Sequence, residues 1–231
     1  MRLAILMTNT DESSFAQAHP KDGQKFSELL WRVRPNWSFD VFSVKDGVFP
    51  KTLDYDGLII TGSPASVHDG ADWIAQLEDL VSDAVERKIP MFGACFGHQV
   101  IARALGAQVT YNPTGWVLGK VTTEFTSDQK QIPIYAAHKE QVTTLPQDAR
   151  IVARTDGCEI AGFAIEDHVL TTQYHPEMTQ AFVADLLEAF EDEIGRDVTQ
   201  AAQQTLGTPT DIDALAEWIA VFFENAQLKD Q

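Results

Sequence analysis

Apolar positions along this chain follow two alternating patterns. Short unbroken runs occur at residues 3–7, 57–61 and 90–94, with a half-polar run at 39–44. Unbroken runs of this length, rich in Leu and Ile, suit strands buried on both faces of a parallel sheet. Between them, apolar residues recur at helical spacing over 24–32, 71–87 and 99–105. The second of these carries Trp73, Leu77, Leu80, Val81 and Val85 on one stripe. Alternating strands and helices predict βα units around a parallel sheet. The polar residues 8–23, which include His19, Lys21 and Asp22, read as a long loop after the first strand. Such loops often carry function.

The pattern changes after Gly106. Residues 109–111, 119–123 and 151–154 read as shorter strands with no helices between them, which predicts an antiparallel ribbon added to the sheet. The last third reads as helical. Residues 181–193 carry Phe182, Leu186, Leu187 and Phe190 on one face, and 212–223 carry Leu215, Ile219 and Phe222. A polar stretch, 195–210, separates them. The chain reads as one domain, 1–231, with 181–231 as a helical C-terminal extension. Core packing is the default role for that extension; a dimer contact or a partner dock is the alternative.

Composition narrows the function classes. At 231 residues and 44% hydrophobic, the chain is long enough for one α/β domain with a full core. Acidic residues number 34 against 17 basic ones, a formal charge of −17. That charge argues against electrostatic binding to nucleic acid or an anionic membrane. No apolar run approaches transmembrane length, and residues 3–7 are too short for a signal core. A cytoplasmic, reducing location is expected, because a bridge between the two cysteines, Cys95 and Cys158, would consume a thiol with better use. No Cys-x-x-Cys, His-Glu-x-x-His or phosphate-loop pattern occurs. Neither a metal nor a cofactor is therefore expected.

The better use is in Gly93-Ala94-Cys95-Phe96-Gly97-His98-Gln99. A cysteine stands between two glycines, after an apolar strand and before an amphipathic helix. The glycines suit a turn with unusual backbone angles and no room for Cβ atoms. A thiol there meets the exposed N–H groups and dipole of the helix N-terminus, which favour the thiolate. An inert buried cysteine is the alternative for the elbow alone. A nucleophile also needs a base. Gln173-Tyr174-His175-Pro176-Glu177 ends a predicted strand with an imidazole, a stop and a carboxylate two residues on. Cys95, His175 and Glu177 then supply a nucleophile, a base and a base-orienter. Cys158 reads as structural.

These two motifs, with Ile60-Thr61-Gly62-Ser63-Pro64, resemble the class I (triad) glutamine amidotransferases over about residues 1–180. The pattern looks most like the stand-alone proteins related to the glutaminase part of GMP synthase. The resemblance implies a flavodoxin-like open sheet, mostly parallel, with the added antiparallel ribbon and helical tail. It also implies attack by Cys95 on the γ-carbonyl of glutamine or a γ-glutamyl compound, proton transfer by His175 held by Glu177, and a glutamyl thioester. The backbone N–H groups of Phe96 and Gly62 are the implied oxyanion donors, and Gln99 an implied substrate contact. Tyr135-Ala136-Ala137-His138-Lys139-Glu140-Gln141-Val142 looks like a family segment that follows a strand and borders the substrate. It departs from the familiar form at Lys139 and Glu140. His138 is its candidate pocket residue.

Two enzymes fit this chemistry: a glutaminase feeding ammonia to a separate synthetase, and a stand-alone hydrolase of γ-glutamyl amides or peptides. The chain has no room for an acceptor-activating unit, which tilts the reading toward the second. A catalytically silent regulatory or binding protein on the same fold is the alternative from another class, and the complete Cys95, His175 and Glu177 set argues against it. The separated His175-Pro176-Glu177 argues against relatives that pair a cysteine elbow with a different base.

Overall fold

The computed structural model describes residues 1–127, 129–207 and 210–229. The first part is built of βα units. Strand β1 (Arg2–Met7) leads through helices α1 (Ser14–Ala18) and α2 (Asp22–Trp31) to β2 (Ser38–Ser43). Strand β3 (Gly57–Ile60), helix α3 (Asp72–Glu86), strand β4 (Met91–Ala94) and helix α4 (Phe96–Ala104) follow. Then come β5 (Val109–Tyr111), β6 (Val117–Phe125), β7 (Gln131–His138), β8 (Glu140–Val142), β9 (Ala149–Thr155), β10 (Cys158–Ile165) and β11 (Val169–Thr172). The chain ends in α5 (Gln180–Ala189), α6 (Glu191–Ile194), α7 (Arg196–Gln204) and α8 (Ile212–Lys229).

Nine strands form one sheet in the order β2-β1-β3-β4-β11-β10-β9-β6-β7, and β5 pairs with β8 in a small antiparallel sheet. The ladders from β2 to β11 are parallel, and those from β11 to β7 are antiparallel. The apolar runs explain the parallel part. In β1, Ala4 and Leu6 face a layer with Leu77 and Val81 of α3, while Leu3 and Ile5 face Phe26, Leu30, Ile219 and Phe223. Helices therefore cover both faces, as a parallel sheet demands. Helix α8 belongs to that second layer, with Ala216, Ile219, Ala220 and Phe223 buried. Truncating a buried phenylalanine such as Phe223 costs roughly 3–5 kcal/mol.

The structure corrects several sequence expectations. Residues 8–23 are not a continuous loop: they hold α1 and the start of α2. Ser13 caps α1 by accepting from the Ala16 N–H at 3.2 Å. Six strands rather than three lie between α4 and β11, four in the main sheet and two in the small one, and Tyr135–Val142 does not follow a strand but forms the end of β7 and all of β8. Pro133 masked β7, since proline is disfavoured inside a sheet. It is tolerated because β7 is the sheet edge. The helix expected over 181–193 breaks at Phe190, whose φ of −112° and ψ of 16° leave the helical basin. The polar 195–210 stretch contains α7, which buries only Thr199 and Ala202 and so has almost no apolar stripe. Positions 208 and 209 of that stretch, 230 and 231 of the tail, and residue 128 lie outside the described residues.

Candidate active site

The parallel strands share one direction, so their C-terminal ends meet at one edge of the sheet, where open α/β sheets bind ligands. Cys95 lies there, between β4 and α4, as the N-cap of α4. Its φ of 52° and ψ of −107° are rare for a residue with a side chain and mark a strained elbow. The unusual angles belong to the cysteine and not to its glycines. Gly93 and Gly97 serve close packing: a Cβ on Gly97 would lie 2.2 Å from the Ile60 oxygen, and one on Gly93 2.7 Å from the Gly97 carbonyl. The missing side chains let α4 rest on β3 and β4. The elbow is pinned by the Cys95 N–H to the Thr172 carbonyl (2.9 Å) and the Gly97 N–H to the Thr61 carbonyl (3.1 Å).

His175 follows β11, the neighbour of β4. Its N–H donates to the Tyr135 carbonyl at 2.9 Å, which ties it to β7. Its Nδ1 lies 2.7 Å from Glu177 Oε1. A carboxylate can only accept, so Nδ1 carries a proton and Nε2 is the nitrogen left for Cys95. Nε2 is buried and makes no hydrogen bond at rest. Burial pulls the imidazole's pKa down, but the charges of Glu177 and then Cys95 outweigh it and hold the pKa well above the ordinary value. Cys95, His175 and Glu177 are each 5% exposed. Gly62 touches the same group: a Cβ there would lie 2.8 Å from His175 Cε1 and 3.5 Å from Cys95 Cβ.

The Gly62 turn is held by Thr8, a buried residue at the end of β1 that the sequence reading passed over. The Thr8 hydroxyl lies 2.9 Å from the Thr61 and Gly62 carbonyls. A trans peptide sets its N–H opposite its carbonyl, so pinning the Thr61 carbonyl fixes the direction of the Gly62 N–H. Phe96 is the first residue of α4, and its N–H has no intrahelical acceptor.

Beside Cys95 is a polar recess of about 160 Å³, lined by Gln99, His138, Lys139, Glu140, Ser66 and Asp69 among others. The Gln99 amide nitrogen donates to the Glu140 carbonyl (2.8 Å) and to Gln173 Oε1 (3.2 Å). Its two protons are thus spent on the scaffold, and only Oε1 is left for a ligand. His138 Nδ1 lies 3.0 Å from the Glu140 carbonyl and so donates to it. Burial, and then the charge of His175, lower the His138 pKa to about 4. The ring is neutral, and Nε2 is a buried acceptor without a partner. His98, beneath it, is lowered to about 3 by burial and by His138. Glu140 is buried and takes hydrogen bonds from Ser66 Oγ at 2.8 and 3.0 Å. Gln173, Trp116 and the Tyr135 carbonyl also shape the site; nothing in their local spacing announces it.

Both cysteines are free thiols. Cys158 is 2% exposed, and burial lifts its pKa to about 11, the behaviour of an inert thiol. Among the described residues, the one close group of three metal-ligating side chains is Glu166, Asp167 and His168. It lies at the end of β11 away from Cys95, and Glu166 is paired there with Lys88 at 2.9 Å. No helix among the described residues is long and apolar enough to cross a membrane.

Known proteins resemble this chain in sequence and in fold. The chain is 30% identical over 203 residues to gamma-glutamyl peptidase 3 of Arabidopsis thaliana, covering 81% of each chain. It is 28% identical over 162 residues to the glutamine-hydrolyzing GMP synthase of Petrotoga mobilis, covering 62% of this chain but 31% of that protein. The crystal structure of a glutamine amido transferase from Methylobacillus flagellatus shares the fold with a TM-score of 0.77 at 20% identity, over 97% of this chain and 94% of that one. The family model for glutamine amidotransferase class-I matches residues 32–190, a span that runs from the end of α2 to the end of α5 and takes in the elbow, the Gly62 turn and His175 with Glu177. This protein belongs to the class I glutamine amidotransferase family.

Proposed function

We propose that this protein hydrolyses γ-glutamyl amides or peptides through a thioester on Cys95, and that free glutamine is its poorer substrate. The observation that carries the reading is the buried His175, bonded to Glu177 at 2.7 Å through Nδ1, with Nε2 beside the Cys95 sulfur. In this reading Nε2 already holds the proton taken from the thiol, and the Cys95 thiolate attacks the γ-carbonyl. The tetrahedral oxyanion is met by the N–H groups of Phe96 and Gly62. Its collapse expels the amine, which receives the proton from His175. Water, deprotonated by the same imidazole, then attacks the thioester and releases glutamate.

The polar recess suits the glutamyl head. The bare Nε2 of His138 accepts from the α-ammonium, Gln99 Oε1 offers a second acceptor, and the buried Glu140 supplies an opposite charge. A likeness to a gamma-glutamyl peptidase over 81% of both chains supports a substrate larger than glutamine. A second reading has its own support: the likeness to a GMP synthase covers under a third of that protein. On that reading this chain is a glutaminase subunit and a separate synthetase is its partner.

Steady-state kcat/KM of the purified chain for glutamine and for γ-glutamyl dipeptides decides between them. The proposal expects dipeptide turnover above the glutamine rate. Inert dipeptides, with glutamine hydrolysis appearing only on adding a synthetase, would establish the second reading instead.

A further inference from the structure

We propose that the preferred leaving amine carries a large apolar group, and that an aromatic wall formed by Phe15, Phe182 and Phe190 selects it; this rests on the γ-glutamyl reading above. Two cavities adjoin the reacting groups. The polar recess is lined by Cys95 but not by His175. A second cavity, about 320 Å³, is lined by His175, Glu177 and Gly62 but not by Cys95. They share Ser63, Pro64, Trp116 and Ala137, so they adjoin, one on each side of the reacting groups.

Proton transfer assigns the two ends. The scissile carbon must meet Cys95, and the departing nitrogen must take its proton from His175. A glutamyl head in the polar recess therefore directs the leaving group into the cavity on the His175 side. Its walls are chiefly apolar, with Phe15, Trp116, Leu118, Phe182, Leu186 and Phe190 prominent. Ammonia would leave that surface unfilled; an apolar side chain would cover it.

The wall is built and braced. The ring centroid of Phe15 lies 5.4 Å from those of both Phe182 and Phe190. Lys25 Nζ sits 3.7 Å from the Phe182 ring centroid and 3.0 Å from Asp22 Oδ1, which fixes that ring and occupies the cation. Phe15 stands on α1, a short helix with no buried residue. Residues 14–18 lie outside the matched family segment 32–190.

Kinetics with the full chain test it. The substrates are γ-glutamylphenylalanine, γ-glutamylleucine, γ-glutamylglycine and glutamine. Burial of one large apolar side chain supplies a preference of about 10- to 100-fold in kcat/KM for the phenylalanine over the glycine dipeptide. Phe15→Ala should lower that ratio about tenfold, and Phe15→Leu should restore most of it. Thermal midpoints check that the variants are folded; Phe182→Ala gives a second reading of the ratio. Equal efficiency on the two dipeptides, or an unchanged ratio in both alanine variants, would overturn the inference and leave the wall as a dock for another protein. No dipeptide turnover alongside glutamine hydrolysis would sink the γ-glutamyl reading itself, and the inference with it.

Discussion

The parallel half of the sheet and the antiparallel half contribute different things to the site. From the parallel half come Thr8, Gly62, Cys95 and, just past β11, His175 and Glu177, all at the C-terminal edge of strands covered on both faces. From the antiparallel half and the helices after it come Trp116, Ala137, His138 and Phe182. The reacting groups of the proposed mechanism stand at the ends of strands packed between two buried apolar layers. Most of the groups that would choose the substrate stand on the antiparallel half and the helices after it, and Phe15 on α1 joins them from the other side. Catalysis needs fixed geometry, whereas selectivity can change with the wall that surrounds it.

Substitutions on the two sides should therefore differ in kind. Cys95→Ala should lose glutamate release by on the order of 10⁴–10⁶-fold with the fold intact, and His175→Ala by a similar factor. Glu177→Gln should be about 10²-fold milder, since orienting the imidazole is lesser work than moving the proton. Steady-state assays with circular dichroism check this; full activity in Cys95→Ala would remove the parallel half from the chemistry.

Packing should show the same contrast. Gly97→Ala puts a Cβ against the Ile60 carbonyl, so α4 must lift from β3. A loss of about 3 kcal/mol or more is expected in urea denaturation. Gly207, after α7, has open space where its Cβ would be. Gly207→Ala should stay within about 0.5 kcal/mol. Equal costs at the two positions would contradict the division between a tight parallel half and a looser margin.

The seam between the halves should be sensitive to acid. His98 and His138 have folded pKa values of about 3 and about 4, below their ordinary 6.5. Between those values and 6.5 the unfolded chain binds more protons, so their contribution is complete above pH 6.5 and is lost as pH falls toward 4. His175 has the opposite sign: its raised pKa stabilises below 6.5, and that contribution is lost as pH rises through the folded value. Urea midpoints across this range, for the wild type and His98→Gln, should differ by an acid slope of up to about 1.4 kcal/mol per pH unit. Parallel curves would show that His98 is not held neutral.

The smallest effect is expected at the other thiol. Cys158→Ala should leave kinetics unchanged and cost on the order of 1 kcal/mol, the loss of one buried sulfur. Calorimetry and the glutamate assay measure both.

The same contrast governs what the sequence revealed. The parallel half was legible because its strands are unbroken apolar runs and its helices carry wide stripes, as in residues 71–87. The placement of Cys95 at a strand-to-helix elbow, and of His175 with Glu177 past a strand end, was legible because turn chemistry surrounds them. The antiparallel half hid behind Pro133 in β7 and behind α7, whose buried face is only Thr199 and Ala202. Thr8 and Phe15 were illegible for another reason. Their meaning lies in partners more than 50 and more than 160 residues away, the Gly62 turn and the Phe182 ring, and no local period records such a contact. The glycines were read correctly as signals of crowding. The strained angles, assigned to them, belong to Cys95.

The most direct test is to trap the intermediate. The full chain would be mixed with a γ-glutamyl dipeptide at neutral pH, quenched in acid within a turnover, digested and mapped by mass spectrometry. The account predicts a glutamyl adduct on the peptide carrying Cys95, none on that carrying Cys158, and almost none anywhere in His175→Ala. A glutamyl adduct on another residue, or equal labelling of Cys95 without His175, would contradict it.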